Sequence, residues 1–283
     1  MLFPSDQAST AHGDRRLLQL SQARERLYRT EAVVLRRRDL GEADRVLTLY
    51  TPRQGKLNAI AKGVRKPSSR KAGHVELFMH SQLLVARGRN LDIITQAEAL
   101  HTFRALREDL ERVTYAHYVV ELLDRFTSEG AENQPAFRLL VETLGQLCQV
   151  EDLLLTVRYY ELRLLALEGY QPQLFRCLGC GDLIQPVTNY FDPEQGGVLC
   201  PRCGEGLIGR PGLPSRIRPV AVNTLKVLRY LQTHEYAEIS RLRLKTSTHR
   251  DMEALMLHYL TYILERNLKS VDFIRRLRQE QAQ

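Results

Sequence analysis

Short runs of alternating apolar and polar residues follow one another through residues 30–97. Turn-forming residues separate the runs, and Gly88-Arg89-Asn90 is typical of a tight hairpin connection. Five short strands suit a small closed barrel, which leaves no exposed sheet edge, better than a large sandwich. The pattern therefore predicts a five-stranded OB-fold β-barrel. Its predicted strands are Thr30–Arg38, Asp44–Thr51, Gly55–Gly63, Ser81–Arg87 and Leu91–Ala97.

From Leu106 onward the apolar residues recur at the spacing of amphipathic helices. The first helix should end at Gly130, and the third should end before Gly169 because Pro172 blocks its resumption. Ser247 or Thr248 is a possible N-cap for the fifth helix. The other predicted helices are Pro135–Val150, Glu151–Glu168, Val220–Thr233, Thr248–Asn267 and Val271–Gln279.

A segment rich in Gly, Pro and Cys interrupts the helical pattern and is predicted to be an inserted, loop-rich module. We therefore expect an α+β multidomain protein. Its predicted parts are a polar N-terminal tail (1–27), an OB-fold nucleic-acid-binding domain (28–102), the first part of a helical domain (103–172), a zinc-binding module (173–212) and the C-terminal part of the helical domain (213–283).

Two C-x-x-C pairs give the strongest local signal in the chain. Cys177 and Cys180 form the first pair, and Cys200 and Cys203 form the second, with nineteen residues between the pairs. Four sulfur ligands close a tetrahedral coordination sphere and leave no position for substrate. The spacing therefore predicts one structural Zn²⁺ rather than a redox pair, which would need only one C-x-x-C motif. Cys148 stands alone.

The net charge of +8 is distributed unevenly along the chain. Residues 26–105 hold 16 Lys or Arg against 7 Asp or Glu, residues 106–204 hold 8 against 15, and residues 205–283 hold 14 against 8. Clustered cations neutralise phosphates and release counterions, which suggests a polyanionic partner. A basic surface that is simply solvated is the alternative.

The predicted barrel carries the densest series of basic residues, and these are our candidate nucleic-acid contacts. Because adjacent residues of a strand point to opposite faces, three consecutive arginines require some of these charges to lie at a rim or in a loop. Few aromatic residues accompany them, so the series favours backbone contact over sequence-specific readout. The candidates are Arg36, Arg37, Arg38, Arg45, Lys56, Lys62, Arg65, Lys66, Arg70 and Lys71.

Several classes of protein are disfavoured by what the sequence lacks. No apolar run approaches the roughly 18–20 residues of a membrane span, and no signal-peptide pattern opens the chain, so we expect a cytoplasmic protein without a membrane partner. The sequence contains no Walker loop, H-E-x-x-H, G-x-S-x-G or dinucleotide-binding motif. We therefore expect a binding protein with no catalytic residues.

Several segments resemble the bacterial recombination-mediator family RecO, and the resemblance spans roughly residue 28 to the C-terminus. It is most specific over the predicted barrel, and a leader before Tyr28 is longer than family members usually carry. The matching segments are Glu31–Arg45, Leu49–Pro52, Gly55–Leu57, Ala61–Arg65 and Gly169–Pro172.

This resemblance implies an N-terminal OB fold, a helical domain and a zinc module. It further implies a protein of the RecF pathway that binds single- and double-stranded DNA and anneals complementary strands without ATP. The implied partners are RecR and the single-strand binding protein, and indirectly RecA, with nucleoid association during repair. Some family members lack the cysteines, so zinc would stabilise the fold without being needed for annealing.

Two other functions share features with this expectation. A ligase-like enzyme would also combine an OB barrel with a four-cysteine zinc site, but its K-x-D-G motif is absent from the sequence. A zinc-stabilised RNA-binding or protein-bridging OB-fold module stays open, because charge alone does not separate RNA from DNA or from an acidic protein.

Overall fold

The computed structural model describes residues 26–207, 216–265 and 268–281, which form two compact units. The first contains the described residues up to Thr102 together with Glu129–Glu132, and the second contains Phe103–Ser128 and the described residues from Asn133 onward. Residues 1–25 of the predicted tail lie outside the described part, and Leu27 already belongs to a strand. The domain limits within the second unit stay predictions.

The first unit is a closed five-stranded barrel with the order β1-β2-β3-β5-β4. All neighbouring strands are antiparallel except β3 and β5, which are parallel. The strands are β1 Leu27–Leu40, β2 Asp44–Thr51, β3 Gly55–Ala61, β4 His80–Ala86 and β5 Asp92–His101. The predicted OB-fold type of barrel is confirmed, and alternating residues such as Leu47, Leu49 and Leu83 fill its core.

Strand β1 is longer than predicted because it pairs with two different strands along its length. Its first half pairs with β4, from Leu27 opposite Ala86 onward, and its second half pairs with β2. The change of partner falls at Val33, which pairs with both His80 and Tyr50, and a bulge between Val34 and Arg36 follows within the β1–β2 pairing. Beyond the bulge β1 pairs with β2 alone, while β2 still pairs with β3 on its other side, and all three arginines at 36–38 are exposed there. The three arginines therefore lie on the part of β1 that extends beyond its pairing with β4.

Glu129 and Gly130 complete one edge of the barrel. Strand β3 pairs with β5 only at Ala59 and Ile60, which leaves its first half with a free edge. Glu129 bridges to Gly55 and Lys56 at that edge, and the Gly130 N–H donates to the Lys56 carbonyl over 3.1 Å. A Cβ on Gly55 would lie 2.0 Å from the Ala131 carbonyl oxygen, so only glycine permits this approach.

The second unit contains nine described helices and a small sheet of order β7-β6-β8. Its strands are β6 Asn189–Asp192, β7 Gly197–Leu199 and β8 Arg218–Val220. Its helices are α1 Ala105–Glu108, α2 Leu110–Phe126, α3 Gln134–Gln149, α4 Leu153–Leu167, α5 Pro201–Glu205, α6 Val222–Thr233, α7 Tyr236–Ile239, α8 Thr246–Leu264 and α9 Lys269–Gln281.

The principal helices agree with the predicted ones within a few residues at their ends. The predicted first helix is two helices, α1 and α2, because the backbone at Asp109 is extended, and α2 ends at Phe126 rather than at Gly130. Helix α6 begins at Val222 because Val220 belongs to β8. The predicted N-cap of α8 is wrong: the cap is Lys245, whose side chain makes no capping hydrogen bond. The predicted end of that helix at Asn267 lies outside the described residues.

A polar cluster is buried in the core between α2 and α4. Arg158 is 4% exposed and Glu161 is fully buried, and the Arg158 Nη2 lies 2.8 Å from the Glu161 Oε1. The Tyr118 hydroxyl donates to the same carboxylate oxygen. Burial raises the pKa of Glu161 to about 7. The positive charge of Arg158 and the hydrogen bond from Tyr118 act in the opposite direction but do not outweigh burial. This ion pair therefore lies in the low-dielectric interior, where each partner depends on the other.

Glu121 of α2 caps the start of α9. Its carboxylate accepts hydrogen bonds from the backbone N–H of Lys269 at 3.1 Å and of Ser270 at 2.8 Å, and from the Ser270 hydroxyl at 2.6 Å. Burial raises the pKa of Glu121, but these three donors and Arg125 outweigh burial and lower it below its ordinary value of 4.5. The carboxylate thus holds α9 through groups that would otherwise lack an acceptor.

We expect Glu121→Ala to lower the free energy of unfolding by about 1–3 kcal/mol, because three donors at the start of α9 lose their charged acceptor. Since the folded pKa is lowered, the contribution of Glu121 is fully present above about pH 4.5 and is lost as pH falls through the folded pKa. Denaturant unfolding at pH 7 and pH 3 measures both effects. The exposed Glu142 of α3 supplies the control Glu142→Ala, and an equal loss in both variants would refute the capping role.

Candidate metal centre and nucleic-acid interface

The first cysteine pair lies in a tight turn before β6. The Cys177 N–H donates to the Asp182 carbonyl and the Gly181 N–H donates to the Cys177 carbonyl, each over 2.8 Å. Gly181 has a φ of +76°, which favours glycine and lets the turn close after Cys180.

The second pair lies at the start of the short helix α5. Cys200 is its N-cap residue and Cys203 lies within it. Gly204 follows directly, and a Cβ there would lie 2.4 Å from the ring of Tyr190, so close packing requires glycine. The helix turn brings both thiols close to those of the first pair.

All four sulfur atoms lie within 4.8 Å of one another, so the four cysteines could hold a metal ion. The Sγ atoms of Cys180 and Cys200 are 3.9 Å apart. Zinc–sulfur bonds of about 2.3 Å in a tetrahedron separate neighbouring sulfurs by about 3.8 Å. The residues therefore fit a four-thiolate zinc ion.

The electrostatics of the cluster also favour a cation. Burial raises the pKa of Cys177, but the backbone N–H groups of Cys200, Cys180 and Gly179 outweigh it and lower the pKa to about 6. The pKa of Cys203 rises to about 12, chiefly through its hydrogen bond with Cys200. Crowded thiols cannot all ionise alone, whereas a metal cation stabilises all four thiolates together.

The cysteine-bearing segment is not held by its cysteines alone. The Tyr259 ring of α8 meets Phe191 of β6 edge to face at 5.2 Å, and Phe191 is 2% exposed. From α6, the Arg229 Nε donates to the Leu174 carbonyl over 2.8 Å. Strand β8 joins the small sheet directly to α6. The segment is therefore packed on the helices of its own unit rather than free-standing.

Part of the predicted basic series is engaged in the barrel's own contacts. Arg37 and Arg45 both pair with Glu76, and Arg45 also reaches Asp39 at 2.8 Å. The Lys71 ammonium donates to the Ile94 carbonyl over 2.9 Å, and burial lowers its pKa. Arg36 and Lys56 likewise interact with neighbouring groups. The charges of these residues are partly used in contacts within the protein, so they are less available to an external anion.

The basic loop after β3 is anchored to the tip of the β1–β2 hairpin. The Gly63 N–H donates to the Asp44 carboxylate over 2.7 Å, and the Arg65 N–H donates to the Ala43 carbonyl over 2.9 Å. The Arg65 side chain contacts the Gly41 carbonyl and lies 3.4 Å from Asp39. The loop consequently lies against the hairpin that carries the three arginines.

Four members of the basic series are exposed and, among the described residues, have no ion pair or hydrogen bond to their side chains. They are Arg38 on the hairpin and Lys62, Lys66 and Arg70 on the anchored loop. We call these four residues the barrel basic surface. Their charges are available to an external anion, because no described carboxylate offsets them directly.

The aromatic residues near this series do not form a stacking platform. Tyr50 and Phe78 are fully buried and belong to the core. Phe103, which follows the barrel along the chain, is half-buried in the second unit. The barrel basic surface therefore presents charge without an adjoining base-stacking ring from these three residues.

Sequence reasoning placed no contact residue in the second unit, although residues 205–283 carry more basic than acidic side chains. The structure exposes Arg241, Arg243, Lys245 and Arg250 together around the start of α8. The charge of the whole segment was the available signal. None of the described helices is both long and apolar enough to cross a membrane.

Two family models match the chain. "Recombination protein O N terminal" matches residues 26–103, and "Recombination protein O C terminal" matches residues 107–272. A DNA repair protein RecO from Roseiflexus sp. (strain RS-1) is 44% identical over 256 residues, covering 90% of this chain and 88% of the relative. One from Pelotomaculum thermopropionicum is 41% identical over 260 residues, covering 91% and 97%, and one from Dehalococcoides mccartyi (strain BAV1) is 37% identical over 251 residues, covering 89% and 96%.

Proposed function

Since the chain belongs to the Recombination protein O family, whose curated relatives are named DNA repair proteins, we propose that it is a non-enzymatic DNA-binding mediator that anneals complementary strands. It would bind single- and double-stranded DNA without ATP. The barrel basic surface is the observation that carries this proposal, because it offers several unpaired cations on an OB-type barrel.

Annealing requires that two like-charged strands approach one another. Cations that contact phosphates lower the repulsion between the strands and raise their local concentration. The barrel basic surface holds backbone and leaves base edges free, because Tyr50 and Phe78 are buried and cannot compete for the bases. Base pairing itself then supplies the free energy, and no covalent bond is made or broken.

The four cysteines would hold one structural Zn²⁺. A bound zinc ion cross-links the two cysteine turns and supplies folding free energy without an open coordination position. The chain's own packing through Phe191 and Tyr259 keeps the small sheet on the helices. We therefore assign to the zinc ion a role in stabilising the fold, and to the barrel the contact with DNA.

The family resemblance supports further partners for this chain. We include RecR and the single-strand binding protein as direct partners and RecA as the recombinase loaded onto coated strands. A cytoplasmic, nucleoid-associated location follows from a DNA substrate. The acidic stretch of residues 106–204 fits a protein partner better than DNA, because like charges repel phosphate.

The test is to mix the protein, without ATP, with two complementary labelled DNA strands and to follow duplex formation by fluorescence quenching. Duplex formation faster than in a protein-free control supports the proposal. If single-stranded DNA binds and annealing is not accelerated, the mediator assignment fails. A parallel titration with RNA of the same sequence separates DNA binding from the RNA-binding alternative.

We expect Lys62→Glu combined with Lys66→Glu to weaken single-stranded DNA binding and to reduce the salt dependence of the affinity. For each phosphate that the variant no longer neutralises, the slope of log K against log salt should become shallower by about 0.7 on single strands. Fluorescence anisotropy across a sodium chloride series measures this slope.

The matched control changes the same charge elsewhere on the barrel. Arg53 and Arg89 are exposed in the β2–β3 and β4–β5 turns, so Arg53→Glu with Arg89→Glu tests net charge alone. Equal slopes for the two double variants would show that the barrel basic surface does not bind DNA.

A further inference from the structure

A second cluster of cations lies on the helical unit, in the connection that leads from α7 into α8. Arg241, Arg243, Lys245 and Arg250 are all exposed, and we call them the α8 basic segment. Among the described residues, the side chains of Arg241, Lys245 and Arg250 have no hydrogen bond or ion pair. Arg243 contacts the carbonyl of Leu242 and helps to lower the pKa of Asp152.

The backbone arranges three of these cations on one side. Residues 242–245 are not helical, and Leu242 and Leu244 are half-buried while Arg241, Arg243 and Lys245 are exposed. Lys245 has extended backbone angles, and in an extended segment alternate residues point the same way and are roughly 6–7 Å apart. Such a row suits a linear polyanion, because successive cations can meet successive phosphates of one strand.

The charges at this position oppose the stability of the helix that follows. Lys245 is the N-cap of α8, no acidic residue lies in the first turn, and no side chain caps the helix. A cation at the positive end of a helix dipole is unfavourable by about 0.3–1 kcal/mol, whereas an anion there is favourable. A solvated surface optimised for stability alone would carry Asp or Ser at this place.

We propose that the α8 basic segment is a second surface for the DNA backbone, which holds one single strand along Arg241, Arg243 and Lys245. Arg250, one helical turn after the start of α8, adds a fourth exposed cation. The inference rests on the proposed DNA-binding function and adds to it. With one cationic surface on the barrel and another on the helical unit, the protein can contact each of two annealing strands through a different unit.

The test compares Arg241→Glu with Lys245→Glu against a control of equal charge change in the same unit, Arg138→Glu with Lys226→Glu. Arg138 and Lys226 are exposed on α3 and α6. We expect the test variant to lower the salt slope of single-stranded DNA binding by about 0.7 for each phosphate no longer neutralised, and to slow annealing about tenfold. The control should stay within about twofold of the wild type, since its cations lie outside the proposed row.

Thermal unfolding separates weakened DNA binding from a damaged fold. Because a Glu at the N-cap is favoured over Lys, the test variant should unfold at the same temperature as the wild type or higher while binding DNA more weakly. Combining it with Lys62→Glu and Lys66→Glu should reduce the slope further, since the changes lie in separate units.

An unchanged salt slope in the test variant, or a slope that falls equally in the control, overturns the inference. This outcome is distinct from failure of the proposed function. If the wild-type protein binds single strands but does not accelerate annealing, the mediator proposal fails, and the slope comparison still decides whether the α8 basic segment binds DNA.

Discussion

Arg158→Met is expected to lower the free energy of unfolding by about 3–5 kcal/mol, because it leaves the Glu161 carboxylate buried without its counter-charge. Glu161 is fully buried and Arg158 is 4% exposed, so water cannot replace the missing partner. Denaturant unfolding at pH 7 measures the loss. Arg275→Met removes an exposed pair with Asp272 and should cost less than about 1 kcal/mol.

Removing the entire polar cluster should restore most of this stability. Among the described residues, Nε and Nη1 of Arg158 and Oε2 of Glu161 have no hydrogen-bond partner. The native pair therefore keeps part of the cost of removing its polar atoms from water. Arg158→Met, Glu161→Leu and Tyr118→Phe together should unfold within about 1 kcal/mol of the wild type, because apolar replacements of buried ion pairs are often neutral. A triple variant as unstable as Arg158→Met would show that the damage is steric rather than electrostatic.

Cys177→Ser is expected to abolish stoichiometric zinc binding and to lower the unfolding temperature by about 10 °C. A serine hydroxyl is a poor substitute for a thiolate, and structural zinc contributes its binding energy directly to folding. The variant should stay folded because Phe191 still packs against Tyr259 of α8, and the Leu174 carbonyl still accepts a hydrogen bond from Arg229 of α6. Elemental analysis of the purified protein and a thermal melt measure the two effects.

The matched control is Cys148→Ser. Cys148 is half-buried in α3 and does not belong to the four-sulfur cluster. It should keep about one zinc per chain. Full zinc content in Cys177→Ser would contradict the assignment of the metal site, and equal zinc loss in both variants would point to general misfolding. Annealing by Cys177→Ser well below its melting temperature should persist, since the barrel basic surface is unchanged.

The barrel and the main helices were predictable because their apolar residues follow one period over many positions. The same pattern could not show that β1 changes partner at Val33, because residues 32–35 are all apolar and show no alternation there. Strands β6, β7 and β8 were not predicted. Each is three or four residues long and lies among Gly and Pro, where no alternation can be read.

The cysteine cluster was predictable because ligand spacing is a local property, whereas charge pairing is not. Arg158 and Glu161, three residues apart on a helix, have the spacing of an ordinary exposed ion pair. Only the packing of α2 against α4 shows that they are buried. Likewise, the sequence indicated Arg65 and Lys71 as DNA-binding residues, but it could not show that their side chains reach the carbonyls of Gly41 and Ile94.

The edge of β3 is completed by Glu129 and Gly130, which follow the end of α2, whereas the fifth strand of the barrel already ends at His101. During synthesis on the ribosome, the strands of the barrel emerge first. The edge of β3 at Gly55 gains its partner, Glu129, only after α2 has also been synthesised. During that interval the amide and carbonyl groups at the start of β3 are open to pairing with another chain. The fold of the N-terminal unit thus reaches completion only after translation has passed well beyond its own five strands.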